Sequence, residues 1–406
     1  MANTDIKWFS FDNTNAPQLS NTWGCMIDVL DACLVTGFGS QIVSSINISN
    51  GVGVAEFGGA HNFKQFQVVE ITSTSNPAIN AEYKILGLTA KTIEFEVGLS
   101  DQKITGDVSC KLASLGWTKK FSGMQKAVYQ AKDTIANPYF LRVDNSCDPV
   151  YAETYAKFAK VGILATCTGI DDLTGNQAPF NPNSPTLNWV GTSGGSPGTT
   201  ISGWFKWRYT FVENPVNTSA ETGAQTNGNR SWVLIGTKNS FFLINRLSAN
   251  SEFEMPYGFG AVTHNDTPKP FLVAVSWANG ASLSNSVFTP LGNMSSAGVA
   301  GLIDYTNTVI QNQFFSFVSG YGVVNSGVAS NAIKLDSIGS YVITPIYLLD
   351  QAGYILGEVP LAKCAITNAT NAPNSSLFFE GEDVYLACRF KTTSIGAQGR
   401  LFFKVY

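Results

Sequence analysis

Three things are scarce in this sequence: charged side chains, histidine and long apolar runs. Asp, Glu, Lys and Arg make up 13% of the 406 residues, about half the share that is usual for soluble proteins. With a formal net charge of −4, the chain lacks the clustered basic surface that attracts nucleic-acid phosphates, so no nucleic-acid partner is expected. No run approaches the roughly 18 apolar residues of a membrane span, and the first residues carry no secretory signal pattern. We therefore expect synthesis in the cytoplasm and no membrane insertion.

Cysteine and histidine occur without the spacing that metal sites or catalytic pairs require. The seven cysteines include no C-x-x-C pair, which favours reduced, mostly buried thiols over disulfides. The two histidines, His61 and His264, lie in Gly- and Asn-rich turn segments and are expected to be solvated loop residues. The motifs H-E-x-x-H and G-x-x-x-x-G-K-[ST] are missing. The sequence predicts no enzyme, no catalytic residue, no cofactor and no metal.

Two acidic pairs are candidates for glycosidase chemistry, because a glycosidase needs only two carboxylates at a fixed separation. Asp171 and Asp172 lie in a loop between Gly169 and Gly175, where aspartate commonly accepts hydrogen bonds from its own backbone. Glu380 and Glu382 precede an apolar strand and are typical of a polar turn. Turn formation is the favoured interpretation of both pairs. A depolymerase that uses such a pair is the enzymatic alternative.

The predicted fold class is mainly β, with antiparallel sandwich or barrel-type domains and one short amphipathic helix near the N-terminus. Apolar residues recur at helical spacing from Trp23 to Leu34, with Thr22 as the predicted N-cap and Gly37 as the end of the helix. Its apolar stripe is expected to dock against the following sheet or a neighbouring subunit.

Alternating segments and turn residues predict the domain organisation. Residues 1–38 form an N-terminal segment with the helix, 39–115 a small β module, and 116–406 a larger antiparallel body with long loops at about 169–202 and 214–230. In the module, residues 89–91 are expected to connect an antiparallel hairpin. Three more hairpins are predicted in the body: 232–235 with 241–244, 341–349 with 354–359, and 384–390 with 401–406.

The most aromatic stretch of the chain is 204–211. Strand alternation places four aromatic residues on one face and Trp204, Lys206, Arg208 and Thr210 on the other. The favoured interpretation is a half-buried strand with its aromatic residues in the core and its cations in water. The alternative is a platform for sugars or bases, since flat rings and nearby cations bind such ligands. Trp204, Lys206 and Arg208, with Asp171 and Asp172, are therefore the candidate ligand or partner surface.

Several stretches resemble an uncharacterised family of tailed-bacteriophage virion structural proteins. The resemblance covers about the first 145 residues, then 232–247 and the C-terminal hairpin. It rests on Trp8-Phe9, Ala16-Pro17-Gln18-Leu19-Ser20, residues 30–38, Gly116-Trp117-Thr118-Lys119-Lys120-Phe121-Ser122-Gly123, residues 126–129 and residues 139–144. The segment 59–83 is similar to small β modules that are inserted in many phage structural proteins. These are packing motifs, so the resemblance implies membership in a virion and assigns no catalytic residue.

Low charge with many aromatic residues favours assembly, because a monomer would have to cover its apolar surface. Ordinary turn-rich β proteins share this composition, so composition leaves both interpretations open. Together with the resemblance, it predicts a virion structural subunit, in the tail or baseplate region, that contacts copies of itself and other virion proteins. The alternatives are a head decoration or neck protein, and a fibre or spike module that binds a host-surface glycan through Trp204, Lys206 and Arg208 or the loop around Asp171.

Overall fold

The computed structural model describes residues 2–149, 151–178, 189–190, 205–211, 223–251, 254–276, 313–315, 336–338, 341–350, 354–365, 376–391 and 398–406. Within these ranges every strand pair is antiparallel. One short α-helix lies near the N-terminus. The predicted fold class, mainly β and antiparallel with one short N-terminal helix, is confirmed.

The N-terminal segment contains strand β1 (Lys7–Ser10) and helix α1 (Cys25–Leu30), which continues into a π-helical stretch (Asp31–Thr36). The predicted apolar stripe is buried in the largest hydrophobic core, as expected, except for Trp23, which packs with Tyr151 and Phe158. Gly37 ends the helix with a φ of 68°, a backbone conformation that glycine adopts without steric cost. This prediction is also confirmed.

The start of the helix differs from the prediction. The helix begins at Cys25 after Gly24, and no side chain of its own segment caps it. The N–H of Met26 instead donates to the side-chain oxygen of Asn145, at 3.1 Å. The carbonyl of Thr22 accepts the Tyr209 hydroxyl at 2.9 Å. A cap supplied by a distant residue therefore replaces the predicted local one, because both serve the same unpaired helix N–H groups.

The module forms a seven-stranded sheet, the module sheet, in the order β5-β4-β8-β2-β3-β7-β6. A single turn of 3-10 helix (Pro77–Ile79) precedes β5. The strands are β2 (Phe38–Ser49), β3 (Val52–Phe57), β4 (Val68–Ser73), β5 (Ala81–Lys84), β6 (Gly87–Leu88), β7 (Thr92–Glu96) and β8 (Gln102–Leu112). The predicted hairpin at 89–91 is confirmed, with Leu88 opposite Ile93. Its first strand is shorter than expected, because Tyr83 pairs with Val69 of β4 instead.

His61 is buried, with 2% of its surface exposed, so its prediction as a solvated loop residue is wrong. Its Nδ1 accepts the N–H of Phe63 at 3.0 Å, and its Nε2 lies 2.9 Å from the carbonyl oxygen of Thr89. The ring stacks on Phe63, with centroids 5.3 Å apart. The turn folds back onto the hairpin, so the imidazole joins two loops by hydrogen bonds.

The body begins with the central sheet, ordered β19-β14-β12-β11-β10-β9 with β13 paired to β12. The N-terminal sheet follows in the order β1-β15-β16-β17-β18. The bounds of their strands are β9 (Thr118–Gly123), β10 (Lys126–Gln130), β11 (Phe140–Asp144), β12 (Lys157–Leu164), β13 (Gln177–Ala178), β14 (Phe205–Thr210), β15 (Trp232–Gly236), β16 (Phe241–Arg246), β17 (Glu254–His264), β18 (Thr267–Val273) and β19 (Val275–Ser276).

The C-terminal sheet has the order β20-β22-β23-β26-β25-β24, with β21 paired to β22. Its strands are β20 (Gln313–Phe315), β21 (Asp336–Ile338), β22 (Tyr341–Leu349), β23 (Ile355–Ala365), β24 (Leu377–Glu380), β25 (Asp383–Lys391) and β26 (Gln398–Lys404). The three hairpins predicted in the body, β15–β16, β22–β23 and β25–β26, are all confirmed.

The N-terminal sheet lies between two hydrophobic cores. Alternate residues of β15, such as Leu234, pack into the core that also contains helix α1, the module and the central sheet. Their neighbours, such as Ile235, pack against the C-terminal sheet in the second core. Burial on both faces explains why β15 and β16 read as continuous apolar runs, since neither face meets water.

The N-terminal segment and the body, predicted as separate units, share one sheet, whereas the module has a sheet of its own. The strands of the module sheet all come from residues 38–112, whereas β1 pairs with β15 of the body. Of the predicted long loops, residues 169–178, 189–190 and 223–230 belong to the described part of the chain, and the rest lie outside it. All seven cysteines are free thiols, and five of them are buried, as predicted.

Lys84 connects three segments where the module meets both ends of the chain. Its Nζ donates to the carbonyl oxygen of Ile6 at 2.6 Å, lies 3.4 Å from that of Val405, and stands 5.7 Å from the centre of the Tyr406 ring. Burial lowers the pKa of Lys84 from 10.5 to about 8, helped by the nearby positive charge of Lys7. The ammonium is therefore held by backbone carbonyls at an electrostatic cost.

This pKa predicts how stability depends on pH. The unfolded chain holds the Lys84 proton up to its ordinary pKa of 10.5, whereas the folded chain releases it near pH 8. The unfolded state binds more protons between these values, so this residue's contribution to the unfolding free energy becomes more favourable as pH rises. We expect the unfolding free energy of the wild type, minus that of Lys84→Met, to rise by about 2 kcal/mol from pH 8 to pH 10. Urea denaturation of both proteins at the two pH values measures this, and a constant difference would contradict it.

Candidate functional site

Strand β14 lies at the centre of the predicted ligand surface. Phe205, Trp207, Tyr209 and Phe211 all pack into the largest core, as the alternation predicted. The indole N–H of Trp207 donates to the carbonyl oxygen of Val273 at 2.9 Å. The aromatic face is therefore structural, with its polar atom satisfied inside the protein.

The opposite face of β14 is buried too, which corrects the expectation that its cations lie in water. Lys206 has no exposed surface and Arg208 retains 2%. The Lys206 Nζ lies 4.2 Å from the centre of the Phe158 ring, and the Arg208 guanidinium lies 4.4 Å from that of Phe211. Aromatic faces stabilise cations in this position by their negative electrostatic potential. Trp204 lies outside the described residues.

These two cations belong to a charged face that crosses the central sheet. The register places Lys160 of β12 opposite both Asp144 of β11 and Lys206 of β14, and it places Arg142 opposite Gly162. We call Arg142, Asp144, Lys160 and the nearby Asp148 the buried ion cluster. Each of the four is exposed by no more than 2%. A charge at this depth is stable only when opposite charges or hydrogen bonds compensate it.

The charges of the buried ion cluster alternate in sign. One carboxylate oxygen of Asp144 lies 3.6 Å from Lys160 Nζ and 3.8 Å from an Arg142 nitrogen, and Asp148 lies 3.7 Å from Lys160 Nζ. Arg142 also donates through Nε to the carbonyl oxygen of Ile170 at 2.8 Å. Burial lowers the pKa of Arg142, and the charge of Asp144 opposes that effect most strongly. The buried ion cluster thus links β11 with β12 and, through Arg142, with the loop that contains Ile170.

Trp189 covers this face. Its ring lies 4.2 Å from the Arg142 guanidinium, and its carbonyl oxygen accepts a hydrogen bond from Lys160 Nζ at 2.7 Å. Beneath the ring is Gly162, where a Cβ would lie 2.7 Å from a Trp189 carbon. The glycine therefore makes room for the indole. The charged face is occupied by a side chain of the protein itself.

The two loop carboxylates have separate structural contacts. Asp171 accepts from Lys126 Nζ and from an Arg142 nitrogen, each at 3.0 Å. The Lys126 hydrogen bond is the main cause of a lowered Asp171 pKa. Asp172 accepts hydrogen bonds from the backbone N–H and the hydroxyl of both Thr168 and Thr174. These bonds lower the pKa of Asp172 strongly, and the bond from the Thr174 hydroxyl has the largest effect. Asp172 therefore accepts bonds from its own turn, as predicted, whereas Asp171 forms ion pairs with two cations. A lowered pKa keeps both carboxylates charged, which does not suit a proton donor.

Glu382 lies in a turn, as the sequence predicted, whereas Glu380 is the last residue of the strand before it. Glu380 pairs with Asp383 across the hairpin of β24 and β25, which leaves Gly381 and Glu382 as its two-residue connection. Gly381 has a φ of 58°, which such a tight turn requires of one residue. Within the described ranges, no group of three or more histidine, cysteine, aspartate or glutamate side chains is arranged to hold a metal ion.

The open edge of the central sheet is a second candidate site, and sequence reasoning missed it. Strand β9 ends the sheet, and its pairing partner is β10. A two-residue turn joins the two strands, and Gly123 and Lys126 form the hydrogen-bonded pair that closes it. The next pair, Ser122 with Ala127, is a non-hydrogen-bonded pair, so the backbone N–H and C=O of Ser122 point away from β10. In the described part of the chain no backbone hydrogen bond reaches β9 from this side. Lys120 and Ser122 are exposed, and Met124 in the turn is 88% exposed.

Other sheet edges differ from β9. Strand β18, the edge of the N-terminal sheet, carries Pro268 and Pro270, whose rings remove two backbone donors. In the module sheet, edge strand β6 has two residues. Such features prevent edge-to-edge pairing. β9 has six residues and no proline. Within the described ranges its edge carries the charge of Lys120, and the nearest backbone bond from another segment is made just before the strand, by the Trp117 N–H to the carbonyl oxygen of Leu34.

The residues that sequence reasoning missed carry recognisable but weak signals. Arg142 and Asp144 alternate with apolar residues in β11, and Lys157 and Lys160 interrupt the otherwise apolar β12. A charge inside a strand that is apolar on both sides indicates a buried pair. Finding its partner requires the sheet order, because β12 and β14 are neighbours in the sheet although about 40 residues separate them in the sequence.

The described residues thus define a layered, antiparallel β protein. None of the helices within the described ranges reaches the length and hydrophobicity that a bilayer crossing requires. Comparison with known protein families found no matching family, and comparison with curated proteins found no match.

Proposed function

We propose that this chain is a non-catalytic structural subunit of a tailed-phage virion, in the tail or baseplate region, that acts through subunit contacts. The observation that carries the proposal is the open edge of β9, where the backbone groups of Ser122 face outward without a partner in the described residues. A strand edge of this kind binds another extended strand through backbone hydrogen bonds. We propose a neighbouring copy of the chain as the source of that strand.

Two further observations support the proposal. Large apolar side chains stand well exposed at Ile42 (82%), Met124 (88%) and Ile135 (88%), and each would lose water contact in a subunit interface. The segment that contains β9, residues 116–123, is also among those that resemble tailed-phage virion proteins. A head decoration or neck subunit is the alternative within this class.

Glycan binding at β14 is less well supported, because Lys206 and Arg208 are buried among protein side chains and Trp189 covers the adjacent face. The loop carboxylates Asp171 and Asp172 are engaged with lysine, arginine and threonine. A ligand there would have to displace these contacts.

The proposal predicts a change in molecular mass when the β9 edge is blocked. Ser122→Pro removes the outward N–H and leaves the bonds to β10 in place, as the prolines of β18 do at their own edge. We expect the wild type to elute as an oligomer in size-exclusion chromatography with light scattering, and Ser122→Pro to shift to the monomer of 43.6 kDa.

Ser122→Thr is the matched control, since it keeps the N–H and suits a strand. It should retain the wild-type mass. A wild type that is monomeric at concentrations of tens of micromolar, or a proline variant with unchanged mass and circular dichroism, would contradict pairing through β9.

A further inference from the structure

A groove of about 650 Å³ opens where the N-terminal segment, the module and the C-terminal sheet meet. This volume lies within the range of about 300 to 1,000 Å³ that is typical of ligand clefts. The groove lies on different strands from the β9 edge and from the buried ion cluster. We refer to it as the seam groove.

Three aromatic rings form its apolar wall. Phe66 stacks on Tyr406, with ring centres 4.9 Å apart and planes at 25°, and Phe379 meets Phe66 edge-on at 6.1 Å. Phe379 is 60% exposed, so an aromatic face is available to a ligand. Covering the exposed Phe379 ring with an apolar face of a ligand is favourable, in addition to any specific contact between rings.

The backbone at Phe66 is strained. Its φ is +65°, a conformation that costs a bulky residue energy and that clusters at binding sites and other functional positions. The strain is held by the bond from the Phe66 N–H to the carbonyl oxygen of Ile85, at 2.8 Å. This backbone conformation directs the Phe66 side chain to the wall of the seam groove. A backbone with a negative φ would direct the side chain elsewhere.

The polar lining is balanced in charge. Two lysines, Lys84 and Lys404, and two acids, Glu382 and Asp383, line the groove. Lys404 and Asp383 form an ion pair at 2.6 Å, and Lys84 binds the carbonyl oxygen of Ile6. The lining therefore offers donors and acceptors together, without the excess of one sign that selects an ionic ligand.

From this combination we infer that the seam groove binds a neutral saccharide. The C–H face of a sugar ring would lie on Phe379, and its hydroxyls, which both donate and accept, would meet the carboxylate of Glu382 and the ammonium of Lys404. Exposed aromatic area beside mixed donors and acceptors fits this chemistry better than it fits an anion, a cation or a purely apolar ligand. The inference is separate from the proposed role of β9.

The test is a glycan array of neutral and charged oligosaccharides, followed by calorimetric titration of the strongest binder into the wild type and two variants. Phe379→Ala removes the stacking surface, and we expect it to weaken binding by about tenfold or more. Tyr354→Ala removes an aromatic side chain that is 71% exposed at a different hairpin of the same sheet, and its affinity should match that of the wild type. Ser122→Pro should also bind normally, so failure of β9 pairing would not affect this result.

Three outcomes would overturn the inference. The first is an array on which no glycan binds saturably. The second is equal affinity in Phe379→Ala and the wild type. The third is binding confined to charged glycans and abolished by salt. If the array is silent and Phe379→Ala lowers the oligomeric mass, the groove holds a protein side chain instead.

Discussion

Replacing Gly37 with alanine is expected to lower the free energy of unfolding by about 3 kcal/mol or more. Gly37 ends the π-helical stretch with φ 68° and ψ 172°, a region that is essentially restricted to glycine. A Cβ at this position would lie 2.2 Å from the carbonyl oxygen of Leu112. Because that oxygen belongs to the backbone of β8, it cannot move aside without disturbing the module sheet. Urea denaturation followed by circular dichroism measures the loss.

Gly58→Ala is the control for this substitution. A Cβ there would meet no atom within 4 Å, and its backbone needs no glycine. We expect its stability to lie within about 0.5 kcal/mol of the wild type, or slightly above it. Equal losses in the two variants would show that the Gly37 junction does not depend on glycine.

The second large effect is expected at the buried ion cluster. Asp144→Ala removes the carboxylate that lies between Arg142 and Lys160, and it leaves two buried cations with less compensation. Loss of one partner from a buried charge pair costs about 3 to 5 kcal/mol. The measurement is again the free energy of unfolding at pH 7, with the slope of the transition checked for cooperative unfolding.

Asp171→Ala provides the contrast, because Asp171 contacts the same Arg142 but its side chain is 66% exposed. An exposed ion pair contributes about 1 kcal/mol or less. A loss at Asp171 as large as that at Asp144 would mean that burial does not determine the strength of these pairs.

Much of the fold was predictable because it depends on local patterns. Turn residues between apolar runs located the hairpins at 237–240 and 89–91, and residues at helical spacing located helix α1. The N-cap was not predictable, because Asn145, from the segment that follows β11, takes the role expected of Thr22. The predicted exposure of His61 was wrong for a similar reason, since its burial depends on a hairpin about 30 residues away that folds over it.

The candidate site was predicted less well. Alternation placed Trp207 and Tyr209 in the core correctly, but an alternating pattern assumes that the opposite face of a strand meets water. Here the opposite face is buried as well. Lys206 and Arg208 lie against the rings of Phe158 and Phe211, and Trp189 covers the adjacent Arg142 and Lys160. The β9 edge and the seam groove depend on sheet order and on contacts between distant segments. Phe66 and Tyr406, for example, are separated by most of the chain.

We propose that copies of this chain meet at the β9 edge within a virion. Electron cryomicroscopy of phage particles purified from cells that produce this chain tests the proposal most directly. We expect symmetry-related copies in the tail or baseplate, with a strand of the adjacent copy hydrogen-bonded along residues 118–123. A reconstruction in which β9 faces open solvent in every copy, or particles that contain no copy of the chain, would contradict it.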